Sequence, residues 1–254
     1  MTLKNINLIN ILFYIDKIMM NGIMIGVIEI ILFIYFSNKI RNRYEQLETI
    51  YKIYYYWFMF TILTMIWEFS FIFQYDSVIL LSNEYIQNKE HVWTNEYDLT
   101  YILPWRLSKI FYAEYGSYAD KQYMINDNHW SLIIEGSHAI SCGMGSLFGI
   151  INKINENEIN YFIFISMSMG SQFMNCFLYL SNYFIQLNDP YNINYYSESF
   201  PSGWLLYKRP FMYINFFWMF MPLYIFINLI IDNHNVSIFD KKRNQNNYEQ
   251  IPNI

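Results

Sequence analysis

Cysteine, glycine, proline and charge are all scarce in this chain: two Cys, nine Gly and six Pro among 254 residues, of which only 15% are charged. Two cysteines make no disulfide framework, and both, Cys142 and Cys176, fall inside apolar runs, where a small thiol reads as a packing residue. The net charge of −5 comes without any long run of like charge and leaves no basic footprint for nucleic acid. The four histidines, His91, His129, His138 and His234, are scattered and match no ligand spacing with Cys or Glu, so neither a metal nor another cofactor is expected. There is no internal repeat and no pair of helices broken by Gly or Pro, which disfavours a transporter. The first apolar stretch, Ile6 to Ile15, is interrupted by Asn10, runs into Asp16 and Lys17 and lacks a small-residue cleavage site. It reads as an interfacial helix rather than a cleaved signal, and no lipidation motif accompanies it.

What the chain does contain is apolar and aromatic: 54% of its residues are hydrophobic and 21% aromatic, segregated into blocks. Blocks long enough to cross about 30 Å of hydrocarbon run from Ile18 to Phe36, Tyr54 to Phe73, Trp130 to Ile151, Tyr161 to Phe184 and Phe211 to Ile231. They are continuous rather than alternating, which excludes a β-barrel. The expected fold is all-α, a polytopic membrane bundle of five transmembrane helices. Residues 1–52 form an N-terminal segment with the first helix, 53–232 a four-helix unit, and 233–254 a polar tail. Of the links, only Asp76 to His129 is long enough to hold structure of its own. Lys and Arg divide evenly between the two sides, but the tight clusters Lys39/Arg41/Arg43 and Lys241/Lys242/Arg243 share one side. The positive-inside rule puts that side in the cytosol and the N-terminus in the lumen.

Ionisable groups inside such blocks are the informative residues, because a charge at the bilayer centre costs about 2.5 to 3.5 kcal/mol on insertion scales and needs a partner or a cavity. On the second span Thr64 and Glu68 share a face, with Trp57 and Trp67 nearby. On the third, Ser131, Glu135, His138 and Cys142 follow one face at spacings of four, three and four. The fourth carries Gln172, Asn175, Cys176 and Tyr179 on one face, and the fifth Asn215, Trp218 and Pro222. Taken singly, amides at helix contacts are commonly packing glue. Converging, the stripes enclose a cavity with two carboxyls, an imidazole, amides and an indole. Glu29 has no polar neighbour at helical spacing and reads as a structural pair or a snorkelling residue.

The order Asn215, Trp218, Pro222 on the fifth span resembles the emopamil-binding protein family, the sterol Δ8 to Δ7 isomerases of the EXPERA superfamily. Glu68 with the aromatic Phe69 to Tyr75 is similar to the family's second-helix carboxylate region, and Glu135-Gly136 to its third-helix carboxylate. Glu114-Tyr115, Ala119-Asp120 and Tyr123 resemble its loop motif, and Gln172 with Tyr179 its fourth-helix motif. The resemblance covers roughly 61–232. It implies a multi-pass helical bundle of the endoplasmic reticulum membrane, often dimeric, whose cavity admits a sterol. Moving a ring B double bond without redox chemistry needs an acid, a base and a π face for the carbocation. The resemblance assigns the acid and base to Glu68 and Glu135, cation stabilisation to Trp218, orientation by hydrogen bonding to Asn215, and substrate contact to Thr64, Glu114, Tyr115, Asp120, Tyr123, Gln172 and Tyr179.

Several positions depart from that pattern. Thr64 stands where the isomerases carry His, and Thr cannot shuttle a proton at neutral pH. His138 stands where Thr is usual, which suggests an imidazole moved from the second helix to the third. Gln122 replaces a basic residue in the loop, and Cys176 replaces the Asp of active isomerases, as in the non-isomerising emopamil-binding-like branch. Two readings follow: an isomerase using His138 as a relocated imidazole, or a non-catalytic protein that binds a sterol or another amphiphile.

Overall fold

The computed structural model describes residues 18–119, 130–186 and 213–231. They are mostly helical. A three-residue strand β1 (Met19–Asn21) leads into α1 (Gly22–Arg41), a one-turn α2 (Glu45–Glu48), α3 (Lys52–Phe73) and α4 (Tyr75–Asn88). Strand β2 (Glu96–Asp98) and a 3₁₀ turn (Leu99–Ile102) precede α5 (Pro104–Tyr118), followed by α6 (Trp130–Ile154) and α7 (Glu158–Gln186). An eighth helix, α8, spans Tyr213–Ile231. The Asp76–His129 link thus holds α4, β2 and α5, as its length allowed. The antiparallel pairing of β1 with β2, Met20 opposite Tyr97, is the departure from an all-helical reading. The first apolar stretch, Ile6 to Ile15, and the cluster Lys241/Lys242/Arg243 lie outside the described residues.

Among the described residues four of the five expected spans are helical segments long and apolar enough to cross a membrane: Gly22–Arg41, Lys52–Phe73, Glu158–Asn182 and Tyr213–Ile231. Such a set is compatible with a multi-pass membrane protein. The third expected span, α6, is a 25-residue helix, but Ser131, Glu135, Ser137, His138 and Ser141 dilute its N-terminal half. It packs between α3 and α7, the most extensive helix contacts in the fold. The outward faces of α1 and α8 carry Ile31, Phe36, Phe217 and Phe220, all exposed, as lipid-facing helices require.

Local chemistry sets the helix ends. Asn21 caps α1 by accepting the Met24 N–H at 2.9 Å, and Lys39 and Arg41 lie in the last turn, where the helix dipole favours cations. Arg41 then donates to the carbonyls of Glu48 and Ile50, both at 3.0 Å, closing the turn into α3. Pro104 opens α5 at a position where no N–H is needed. At the other end of the α1 contact, the Gly22 N–H donates to the Val92 carbonyl at 2.9 Å. A Cβ at Gly22 would lie 2.4 Å from Val92 Cγ2, so only glycine lets this loop reach the helix start.

Between lipid-exposed helices burial of apolar surface is a weak force, and close packing with small residues and interhelical hydrogen bonds holds the bundle instead. That pattern runs along α6. Ser146 and Ser168 hydroxyls meet at 3.0 Å, and Ser168 also donates to the Cys142 carbonyl at 2.7 Å. A Cβ at Gly143 would stand 2.3 Å from Met65 Cβ on α3, and one at Gly149 2.4 Å from Ile165 Cδ1 on α7. Met65 Cβ is fixed to its backbone, so relief requires α3 to move. We expect Gly143→Ala to destabilise the protein by about 1 to 3 kcal/mol, read as a lowered midpoint of thermal unfolding in detergent; an unchanged midpoint would mean that the α3–α6 seam is looser than described.

Candidate functional site

The stripes converge on a partly open cavity of about 410 Å³ lined by α3, α5, α6, α7 and α8, within the range of roughly 300 to 1,000 Å³ typical of small-molecule sites. From α3 come Phe60, Thr64, Trp67 and Glu68, and from α6 His138 and Cys142. From α7 come Gln172, Asn175, Cys176 and Tyr179, spaced one turn apart, and from α8 Asn215 and Trp218. The helical period that aligned these residues in the sequence aligns them in space. Pro222 does not line the cavity; it is buried in α8 one turn further on.

Polar groups on the walls are held by specific bonds. Tyr112 of α5 donates its hydroxyl to Glu68 Oε1, and its ring stacks on Phe71 with centroids 4.5 Å apart and planes 16° apart. The Tyr115 and Tyr179 hydroxyls meet at 2.7 Å, joining α5 to α7 at the cavity wall. Trp57 Nε1 donates to Gln172 Oε1 at 3.0 Å, which fixes the amide of a buried glutamine. The Trp57 ring also leans on Trp218, centroids 4.8 Å apart, while Trp218 stacks on Phe60 at 5.2 Å and 24°. The result is an aromatic wall whose negative π faces suit a cation. Thr64 donates to the Thr61 carbonyl at 2.9 Å, so its hydroxyl serves its own helix. His138 Nε2 lies 3.3 Å from Cys142 Sγ.

Of the residues expected to contact substrate, Thr64, Tyr115, Gln172 and Tyr179 line the cavity with Glu68, His138, Asn215 and Trp218. Glu114 does not. Although one residue from Tyr115, it turns away on α5 and is fully buried, receiving His91 Nδ1 at 2.8 Å and the Val92 N–H at 3.0 Å. Burial pushes its carboxyl above the ordinary carboxylate range, opposed by those two bonds. Its role is to tie the loop before β2 to α5. Asp120 and Tyr123 lie outside the described residues, as do the side chains of Ser131 and Glu135.

One contact escaped the sequence reading. Tyr112 is the Glu68 partner, and its position one helical turn before Tyr115 was the available signal. Cys142 and Cys176, read as packing residues, are buried yet line the cavity. Glu29 proves to be a structural pair rather than a snorkelling residue: it is 5% exposed, and Oε1 accepts Trp67 Nε1 at 3.3 Å. Its Oε2 has no hydrogen-bond partner among the described residues. Because Trp67 is a cavity wall, Glu29 supports the site from behind. Compared with family models, with curated proteins and with solved structures, the chain matches none.

Proposed function

We propose that this protein is a sterol Δ8 to Δ7 isomerase of the endoplasmic reticulum membrane, multi-pass and homodimeric, with α6 as the third of five spans. One observation carries the reading: Glu68, His138, Asn215 and Trp218, drawn from three helices far apart in sequence, line one cavity. Its 25 residues give α6 a length of roughly 37 Å at about 1.5 Å per residue, beyond the roughly 30 Å of hydrocarbon. Of the polar residues of α6 described at this level, His138 and Cys142 line the cavity, while the exposed Ser137 and Ser141 return their hydroxyls to their own helix, at the Ile134 and Ser137 carbonyls.

The chemistry proceeds by proton addition at one ring carbon and removal from a neighbour. An acidic group donates its proton to one end of the ring B double bond; the electron pair of the π bond forms the new C–H bond and leaves a carbocation. A basic group removes a proton from the adjacent carbon, and that C–H pair becomes the shifted double bond. Glu68, Glu135 and His138 are the acid and base candidates. Trp218 faces the cation, and Asn215 orients a partner by hydrogen bonding.

Two details favour the second reading, a sterol- or amphiphile-binding protein without catalysis. Thr64 spends its hydroxyl on its own helix, and Cys176 lines the cavity where the resemblance leads one to expect Asp. Complementation of a host lacking sterol Δ8 to Δ7 isomerase, with sterols read by mass spectrometry, separates the two. Restored Δ7 sterol is the expected result, reduced at least about tenfold by His138→Ala. Δ8 sterol accumulating beside well-expressed wild-type protein would establish the binding reading instead.

A further inference from the structure

The cavity contains a nucleophile that isomerisation does not use. Cys142 sits on α6 one turn after His138, with Sγ 3.3 Å from Nε2, and both side chains line the cavity. The imidazole is also held by the backbone of Ser171 on α7, and the thiol by the Ser171 side chain. A thiol, a base in reach of it and a third group holding the base are the parts of an activated nucleophile. Among the described residues, no third His, Cys, Asp or Glu joins them to form a metal site. Cys142 is 2% exposed, so a reagent meets it from within the cavity.

The geometry points to Cys142 as a covalent acceptor for membrane-borne α,β-unsaturated carbonyl compounds, such as long-chain enals and enones, with His138 as its base. Sulfur bonds to the β-carbon while the S–H bond breaks and its proton passes to Nε2. The C=C electron pair shifts toward the carbonyl as an enolate, and the imidazolium returns the proton to the α-carbon. The adduct has the mass of thiol plus enal; nothing leaves and no electrons are exchanged with a third party.

The medium explains why the base is needed. A free thiolate in an apolar, low-dielectric cavity is costly, and a buried cysteine without help is inert. An imidazole that takes the proton as the C–S bond forms avoids the isolated anion. Cys176 lines the same cavity, but among the described lining residues His138 is the one imidazole, and it stands against Cys142. Apolar and aromatic walls select a chain-bearing electrophile that partitions into lipid over a small water-soluble one. This inference shares with the proposed function the premise that the cavity admits lipid-borne molecules, but it needs no sterol chemistry.

The test treats the full chain in nanodiscs with trans-2-hexadecenal, reduces the adduct with borohydride and maps it by peptide mass spectrometry. The expected product is a single adduct on Cys142, absent from Cys142→Ser, retained in Cys176→Ser, and formed at least about tenfold more slowly in His138→Gln. Wild-type protein preloaded with a sterol should label more slowly, a measurement that needs no variant to fold. An adduct on Cys176, an equal rate in His138→Gln, or no adduct at all overturns the proposal. Adduct formation without isomerisation would sink only the isomerase reading, and isomerisation without an adduct only this one.

Discussion

Under the proposed isomerase reading, replacing Glu68 by glutamine is expected to lower conversion of a Δ8 sterol at least about a hundredfold, the lower end of what a positioned acid or base contributes, while leaving sterol affinity within a few-fold. Among the described residues Glu68 is the one carboxylic acid lining the cavity. Its Oε1 takes the Tyr112 hydroxyl, and that ring is clamped on Phe71, so the carboxyl is held rather than free to rotate. Glutamine keeps the shape and the carbonyl that Tyr112 can reach, but it neither gives nor takes a proton at neutral pH. The split between rate and binding is therefore the diagnostic quantity. Purified variant and wild type should be compared by sterol mass spectrometry for turnover, and by displacement of a bound fluorescent sterol for affinity. Equal turnover would remove Glu68 from the chemistry, and equal loss of binding and turnover would make it a structural carboxyl.

The second large effect is on stability. His91→Ala costs about 3 kcal/mol at neutral pH, because it takes one of two hydrogen-bond partners from a fully buried carboxyl. Glu114 is fully buried and leans on the His91 ring and the Val92 N–H. The ring itself lies between Trp93 and Tyr118, each 4.1 Å away between centroids. Burial pushes the Glu114 carboxyl up, and His91 pulls it back. A value raised in the folded state means that the folded chain holds the proton more tightly than the unfolded one. The carboxyl's favourable contribution is then complete below the unfolded value of about 4.3 and is lost as pH rises through the folded value. Taking away His91 pushes the folded value higher still, so the variant's deficit is largest near pH 7 and shrinks toward about pH 4, where the carboxyl is protonated either way. Thermal unfolding in detergent should show a fall of about 6 to 12 °C at pH 7 and less than about half of that near pH 4. A deficit that does not change with pH would assign the cost to lost ring stacking instead.

Both effects bear on how much of the molecule could be read in advance. The cavity residues of α3, α6, α7 and α8 were legible because a 3.6-residue period projects Thr64 and Glu68, or Gln172 and Tyr179, onto one side of an apolar rod. Period says nothing about rotation relative to neighbours that are not yet placed, and the packing of α6 between α3 and α7 supplied that. Glu114 shows the limit. In sequence it stands beside Tyr115, but adjacent residues on a helix point about 100° apart, so one reaches the cavity and the other the loop at His91. The pairing of β1 with β2 joins residues more than seventy positions apart, beyond any local pattern. The third expected span, α6, falls short on hydropathy for a compositional reason: Ser131, Glu135, Ser137, His138 and Ser141 interrupt its apolar residues.

The Glu29–Trp67 bond has a consequence for how such a chain is made. The two partners are 38 residues apart, and a chain synthesised from its N-terminus delivers the carboxyl to the bilayer before the indole exists. At that moment α1 must be held in place by its own apolar side chains, Ile, Leu, Val and Phe each worth about 0.3 to 0.6 kcal/mol at the helix centre against the penalty of an acidic residue. Insertion of α1 is then provisional until α3 arrives to quench the acid. Trp67→Phe would therefore be felt first during biogenesis, as a nascent first helix that slips back out, before any effect on the finished cavity.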